Sequence, residues 1–359
     1  MKKATLLLAL ILLLSCLAPV GSYYLMLAVE GKGAAGTLQQ LRLDAAGSGS
    51  AAALRTAPEA AKPNASAAPK TSPQPSANTV LTVLVQDTSS GEVLSVPLRE
   101  YVIGAVASEM PMTWEDAALQ AQAVSIHTYV LYCRDHNDTA SMGGAWLTAD
   151  PARRQGFMTD AVLHSYWGTD YDANYARLSK LVDQVLGTVV TYEGQPAATS
   201  YFAISNGRTE ASQNVWNIAL PYLQGVDSSA DKQAEGCTCT VTYTSQQMYD
   251  ALVSALGLAP GSTKPGNYFT NYIKTDAGYI YSVDVCGTTV RGTVLRSALH
   301  LRSTCFSISY ADNLFTITTV GYGHGVGLSQ CGAEAMSKSG STWQDILAHY
   351  FPGTTLAAA

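Results

Sequence analysis

The chain has 359 residues, 47% of them hydrophobic and 13% charged, with a formal net charge of −6. That length suits one large domain or two ordinary ones, and the composition suits a folded body with a sparsely charged surface. An acidic balance excludes nucleic acid as a partner, which would select a basic face, and no block of like charges marks an electrostatic tail.

Lys2 and Lys3 precede an uncharged stretch, residues 4–29, long enough to cross a bilayer as a helix. The two lysines hold the N-terminus in the cytoplasm and send the rest of the chain outside. A cleaved signal peptide competes with this reading, and Leu13-Leu14-Ser15-Cys16 faintly resembles a lipoprotein cleavage box. Apolar character continues past Pro19 through Tyr23, Tyr24, Leu25, Met26 and Leu27, which favours a retained single-pass anchor in the cell membrane. Residues 31–79 are rich in Ala, Ser and Pro and lack a core-forming pattern, so they read as a flexible tether. The expected organisation is an anchor over 1–29, a linker over 30–79 and one extracytoplasmic domain over 80–359. Outside Cys16 there are six cysteines, Cys133, Cys237, Cys239, Cys286, Cys305 and Cys331, so disulfides are possible, with no pairing legible.

Order begins with a β-like run at 80–85, a turn at Asp87-Thr88-Ser89-Ser90-Gly91 and a hairpin partner at 93–96. A helix fits 98–109, and a second fits 115–133 with Thr113 as N-cap and Glu115 and Asp116 in its first turn. Residues 184–217 read mainly as strands and turns, and a short helix fits 245–256. Strands follow over 279–290 and 306–320, then a Gly-rich loop and helices over 330–350. Strands and helices do not alternate as βαβ units, so the fold class is α+β.

On the first helix, Tyr101, Val102, Ala105 and Val106 form an apolar stripe that Glu109 continues, and Pro111 ends the helix just beyond. A carboxylate on the buried side of a helix C-terminus is disfavoured as an anion by desolvation and by the helix dipole. A general acid needs that raised pKa; a capping or salt-bridged Glu is the bland alternative. On the next helix, Gln122 and His127 flank the core face and are placed to share a cleft with Glu109.

Glu109-Met110-Pro111, Ala117-Ala118-Leu119-Gln120-Ala121-Gln122-Ala123-Val124 and Thr128-Tyr129 together resemble the first signature of the stage II sporulation protein D family. A second block runs from Tyr201 to Glu210 with Val215-Trp216 and Pro221-Tyr222-Leu223. The third, Gly321-Tyr322-Gly323-His324-Gly325-Val326-Gly327-Leu328-Ser329-Gln330-Cys331-Gly332-Ala333, is the most specific, and 346–353 follow it. The resemblance implies lytic transglycosylase action on peptidoglycan whose stem peptides an amidase has removed, during forespore engulfment and beside partners in a membrane complex. It maps the essential Glu onto Glu109 and requires no cofactor. Tyr201, Ser205, Gly207, His324 and Gln330 would then contact the sugar chain with Gln122 and His127, the glycines around His324 permitting close approach. Trp216 reads as a core or rim aromatic more than a sugar platform.

Two departures stand out. His127 occupies the position where the family usually carries Arg, which forks and is always charged. Asn206-Gly207 stands where Gly-Gly is common. Where some clostridial members bind zinc, this chain has Met142, Thr148 and Arg154, none a good ligand. Cys133 and His136, with Cys237 and Cys239, are the remaining metal candidates, so a metal-stabilised structural protein is a third reading. A non-catalytic glycan-binding or amidase-enhancing module is the second.

Overall fold

The computed structural model describes residues 81–359, and the expected anchor and tether lie outside them. Among the described residues no helix is long and apolar enough to cross a membrane. β1 (Thr82–Asp87) and β2 (Val93–Pro97) form the expected antiparallel hairpin, with Val83 opposite Val96. Alternation sends Val83 and Val85 fully inside, and Asp87 closes the turn by accepting from the Ser89 N–H at 2.8 Å.

α1 (Leu98–Glu109) follows directly and stops at Met110, whose backbone is extended before Pro111. α2 (Asp116–His136) is longer than expected, and its N-cap is Glu115 rather than Thr113. No side chain caps it locally. Instead the Glu115 N–H donates to the Glu334 carboxylate at 2.9 Å, from a residue more than 200 positions away. That long-range partner explains why local cap signals misplaced the start.

β3 (Leu147–Ala149) adds parallel to β1. α3 (Asp160–Trp167) and α4 (Tyr171–Val185) occupy a stretch to which the sequence pattern assigned no element. β4 (Thr188–Tyr192), β5 (Gln195–Pro196) and β6 (Tyr201–Phe202) are the expected middle strands, and α5 (Ser212–Trp216) is a short helix where turns were expected. Then come β7 (Thr238–Thr244), α6 (Ser245–Leu256), β8 (Phe269–Lys274), β9 (Ile280–Val285), β10 (Thr288–Arg291), α7 (Gly292–Ala298), β11 (Phe306–Ala311) and β12 (Leu314–Val320). The chain closes with β13 (Leu328–Ser329), α8 (Gln330–Lys338), α9 (Trp343–Tyr350) and β14 (Thr355–Ala358).

The strands form several small sheets, ordered β2-β1-β3, β14-β4-β5, β10-β9-β8, β11-β12-β7 and β13-β6, rather than one wound sheet. The α+β class holds. Two apolar cores result. The larger surrounds α2, whose Leu119, Val124, Ile126 and Val130 are buried against α1, α4, α8 and α9. Gly104 lets α1 approach the 157–158 segment, because a Cβ there would stand 2.1 Å from the Met158 carbonyl oxygen. The smaller core, built on Met248, Leu252, Val283, Leu295, Phe315 and Ile317, belongs to a lobe inserted between β6 and β13. The six cysteines of the described residues are free thiols. No group of three or more His, Cys, Asp or Glu among those residues is arranged to hold a metal ion.

Candidate functional site

Glu109 ends α1 with its side chain half-buried. Burial pushes its carboxyl above the usual range, and a hydrogen bond from Gln330 opposes that only in part. That bond runs from Gln330 Nε2 to Glu109 Oε2 at 3.3 Å. It is long, and its donor is neutral, so the carboxyl has no strong partner fixing it as an anion.

The neighbours arrive by sheet pairing. β6 and β13 pair in parallel, with Leu328 opposite Tyr201 and Ser329 opposite Phe202. Gln330 follows at once as the first residue of α8, two positions past the Tyr201–Leu328 pair, and Gln330 and Tyr201 both interact with Glu109. The negative charge of Glu109 adds to burial in raising the phenols of Tyr101 and Tyr201. Tyr129 and Cys133 of α2 act on the same Tyr201, and burial holds the Cys133 thiol up at about 11, a protonated and inert form. Two tyrosines, Tyr101 and Tyr201, therefore lie close to one protonatable carboxyl, with Tyr129 near Tyr201.

Gln122 is fully buried, and neither its Oε1 nor its Nε2 has a hydrogen-bond partner. It lies seven residues before Tyr129 and eleven before Cys133, hence on their helix face. Buried amides are ordinarily satisfied, so this one holds unspent hydrogen-bonding capacity. His127 is placed otherwise. Five residues beyond Gln122, it points about 140° round the helix. Its ring is 2% exposed beside the Leu186 backbone, at the end of α4. Burial drops its pKa to about 4, so the ring is neutral at ordinary pH. That rotation turns His127 away from the helix face that Gln122 shares with Tyr129 and Cys133.

His324 packs its ring 5.2 Å from Trp216 and 5.6 Å from Phe202. Its Nδ1 accepts from the Val326 N–H at 3.1 Å, and the backbone of Tyr201 provides a second hydrogen bond. Both ring nitrogens thus serve the loop itself, and burial lowers the pKa to about 4. The flanking glycines serve the protein's own strand packing. Gly323 and Gly327 have φ of 115° and 80°, and a Cβ on them would meet Phe202 at 2.7 Å and the Ser200 carbonyl at 2.2 Å. They make room for β6, where the sequence suggested room for a sugar.

Ser205 and Gly207 belong to a different feature, which sequence reading missed. Asp231 is fully buried, and its Oδ2 accepts from the Ser205 N–H (2.7 Å), the Ser329 hydroxyl (2.7 Å) and the Ser228 hydroxyl (3.1 Å). The Ser205 hydroxyl is occupied by the Gly207 N–H at 3.0 Å. Ser329 is in turn the N-cap of α8, accepting from the Gly332 N–H. Gly332 fits because a Cβ there would lie 1.9 Å from the Tyr350 hydroxyl. Asp231 therefore ties the second and third sequence blocks together immediately before Gln330. Its only sequence signal is an Asp in an otherwise unremarkable loop.

The other buried carboxylates of the described residues are committed elsewhere, Asp150 by accepting from the Arg153 N–H at 3.1 Å. Glu210 Oε1 accepts from the Ala211 N–H and the Asn214 amide, each at 2.8 Å. Glu334 holds the start of α2 and pairs with Lys338 at 3.0 Å. A separate cleft of about 610 Å³ lies on the opposite face of α1, lined by Ile103, Phe157, Tyr171 and Tyr175. Its two carboxylates are already engaged, Glu100 by Arg99 and Tyr175 and Asp160 by the Tyr171 hydroxyl.

Residues 86–192 match the family model described as stage II sporulation protein. The chain is 34% identical to stage II sporulation protein D of Bacillus subtilis (strain 168), over 78% of this chain and 80% of that protein. With the protein of the same name from Bacillus amyloliquefaciens it shares 33% identity, over 78% and 79% of the two chains. It is also 27% identical to an amidase enhancer of Bacillus subtilis, over 71% of this chain and 40% of that protein. With this extent of identity across its folded body, the chain belongs to the stage II sporulation protein D family.

Proposed function

We propose that this sporulation cell-wall protein is a lytic transglycosylase with Glu109 as its single acid and base. The observation that carries this reading is a carboxyl raised by burial, bonded to a neutral amide and close to Tyr101 and Tyr201, while the other buried carboxylates of the described residues are bound to donors of their own. A glycoside hydrolase ordinarily needs two carboxylates, one of them to activate water or to attack. An intramolecular transfer needs one. Protonated Glu109 donates to the glycosidic oxygen between N-acetylmuramic acid and N-acetylglucosamine as the C1–O bond breaks. The resulting carboxylate takes the proton from the muramic C6 hydroxyl as its oxygen closes on C1. The products are a free 4-hydroxyl and a 1,6-anhydro end, and Glu109 is protonated again.

Gln330 orients the carboxyl in this scheme, and Tyr201 and Tyr129 offer ring faces and hydroxyls to the sugars. Gln122 supplies an amide that the protein leaves unpaired. Ser205, Gly207 and His324 support the loops, and His127 supports the packing of α2 on α4. The substrate is peptidoglycan strands stripped of stem peptides, reached from the outer face of the membrane by an N-terminal anchor. An amidase and a membrane partner of the engulfment complex are the proposed companions.

The test is mass spectrometry of peptide-free glycan strands incubated with wild type and with Glu109→Gln. Anhydro ends are expected from wild type, with the rate falling about 10²–10⁴-fold in the variant. Reducing ends would mean a hydrolase. Binding without cleavage by either protein would favour the amidase-enhancer reading that the weaker relative suggests.

A further inference from the structure

The outer edge of β7 carries an inference that does not depend on the glycan chemistry. β7 lies at the end of the sheet β11-β12-β7. Its sequence is Thr238-Cys239-Thr240-Val241-Thr242-Tyr243-Thr244, seven residues with no charge, proline or glycine. Among the described residues, β12 and α6 are the elements packed closely against it. Val241, although on the inner face with Ile317, is 37% exposed. A long neutral strand at an open edge is a template for another strand, and folded proteins usually blunt such edges.

The hydrogen-bond directions are fixed by the neighbours. The Gly321 N–H donates to the Cys237 carbonyl at 2.7 Å, and the Thr319 hydroxyl to the Cys239 carbonyl at 3.2 Å. Odd-numbered backbone groups of β7 therefore face β12, and those of Thr240 and Thr242 face outward. At the far end the outward N–H of Thr244 is already taken by Gln247 Oε1 at 2.8 Å, and Thr240 and Thr242 remain as the outward-facing groups on either side of Val241.

The strand is close to a palindrome about Val241. Paired antiparallel with a copy of itself, Thr240 meets Thr242, Thr238 meets Thr244, Cys239 meets Tyr243 and Val241 meets Val241. Thr–Thr and β-branched pairs are favourable across strands, and no like charges oppose one another. We infer that β7 is a homodimerisation edge at which two copies of this chain join by antiparallel β7–β7 pairing about a two-fold axis through Val241. Such an interface is isologous, as closed dimers require. Thr240 and Thr242 of one copy exchange backbone hydrogen bonds with Thr242 and Thr240 of the other. Val241 becomes a non-hydrogen-bonded pair, whose Cα atoms stand about 4.5 Å apart, within disulfide reach.

The test uses the full-length chain. Val241→Cys under mild oxidation should give a covalent dimer at about ten times the yield of wild type, because the axis places the new thiol opposite itself. Thr238→Cys should not, since three residues from the axis it lies about 20 Å from its counterpart. Thr242→Pro removes an outward N–H in each copy and should weaken the dimer seen by sedimentation about tenfold. Equal cross-linking in all three proteins, or none in a folded Val241→Cys variant, overturns the inference. So does a monomeric wild type at high concentration, or a dimer that Thr242→Pro leaves unchanged while the thermal midpoint shows the variant folded.

Discussion

Glu109 and Asp231 are both carboxylates buried enough to have raised pKa values, yet their surroundings differ in kind. Asp231 Oδ2 gathers a backbone N–H and two hydroxyls, two of these bonds at 2.7 Å. Glu109 has a half-exposed edge and one 3.3 Å contact from a neutral amide. Burial alone thus does not mark a reactive acid. Glu109, in its proposed acid role, is short of partners, whereas Asp231 holds loops together through three hydrogen bonds gathered on one oxygen. Asp231 is in turn what steadies Ser329, and through it the start of α8 that presents Gln330 to Glu109.

The sharpest way to break this contrast is to remove each carboxyl and compare stability. Asp231→Ala strands three buried donors, so a loss of about 3 kcal/mol or more is expected, read as a drop in thermal midpoint of roughly 6–12 °C. Glu109→Gln should move the other way. The folded pKa of Glu109 lies above its unfolded value near 4.3, so its native protonation adds stability at low pH. That stability is lost as pH rises through the folded pKa. The glutamine variant escapes this loss. Its thermal midpoint should exceed that of wild type at pH 8 and converge with it near pH 4. A variant that is destabilised at pH 8 would show that Glu109 is held as an anion after all.

Gln330 offers a subtler change. Its hydrogen bond lowers the Glu109 pKa, so Gln330→Ala should raise it further. The alkaline limb of the pH–rate profile, set by loss of the acid proton, should move to higher pH. The rate at the optimum should fall about tenfold from lost orientation. A fall in rate with no movement of the limb would place Gln330 on the substrate rather than on the acid.

What could be read from the sequence follows the range of the interactions involved. The β1–β2 hairpin and α1 are written in alternation, a turn and a proline, all within a few residues. The helix that ends at Glu109 was legible because its apolar stripe and Pro111 are local. The start of α2 was not, because its cap is the carboxylate of Glu334. The packing partners of Ser205, Gly207 and the glycines at 323 and 327 were not legible because each is distant in sequence: Asp231, Lys232 or the β6 strand. The inserted lobe was also hidden, since its strands carry ordinary alternation and nothing in their spacing announces a second core.

His127 gives the smallest effect on catalysis and the cleanest check on where the site ends. Its place on α2 invites a role beside Glu109, but the helix turns it toward Leu186. His127→Leu should therefore change kcat/KM by less than about twofold and leave both limbs of the pH–rate profile in place. The same variant should differ in acid. A histidine whose folded pKa is lowered to about 4 from an unfolded value near 6.5 binds its proton better unfolded. Wild type then loses stability as pH falls from about 6.5 toward 4, and the leucine variant lacks that contribution. Thermal midpoints at pH 7 and pH 5 should show a smaller acid drop in His127→Leu than in wild type. If instead the acid limb of the rate profile shifts while the midpoints do not, the imidazole titrates within reach of the substrate, and the groove extends across the far side of α2.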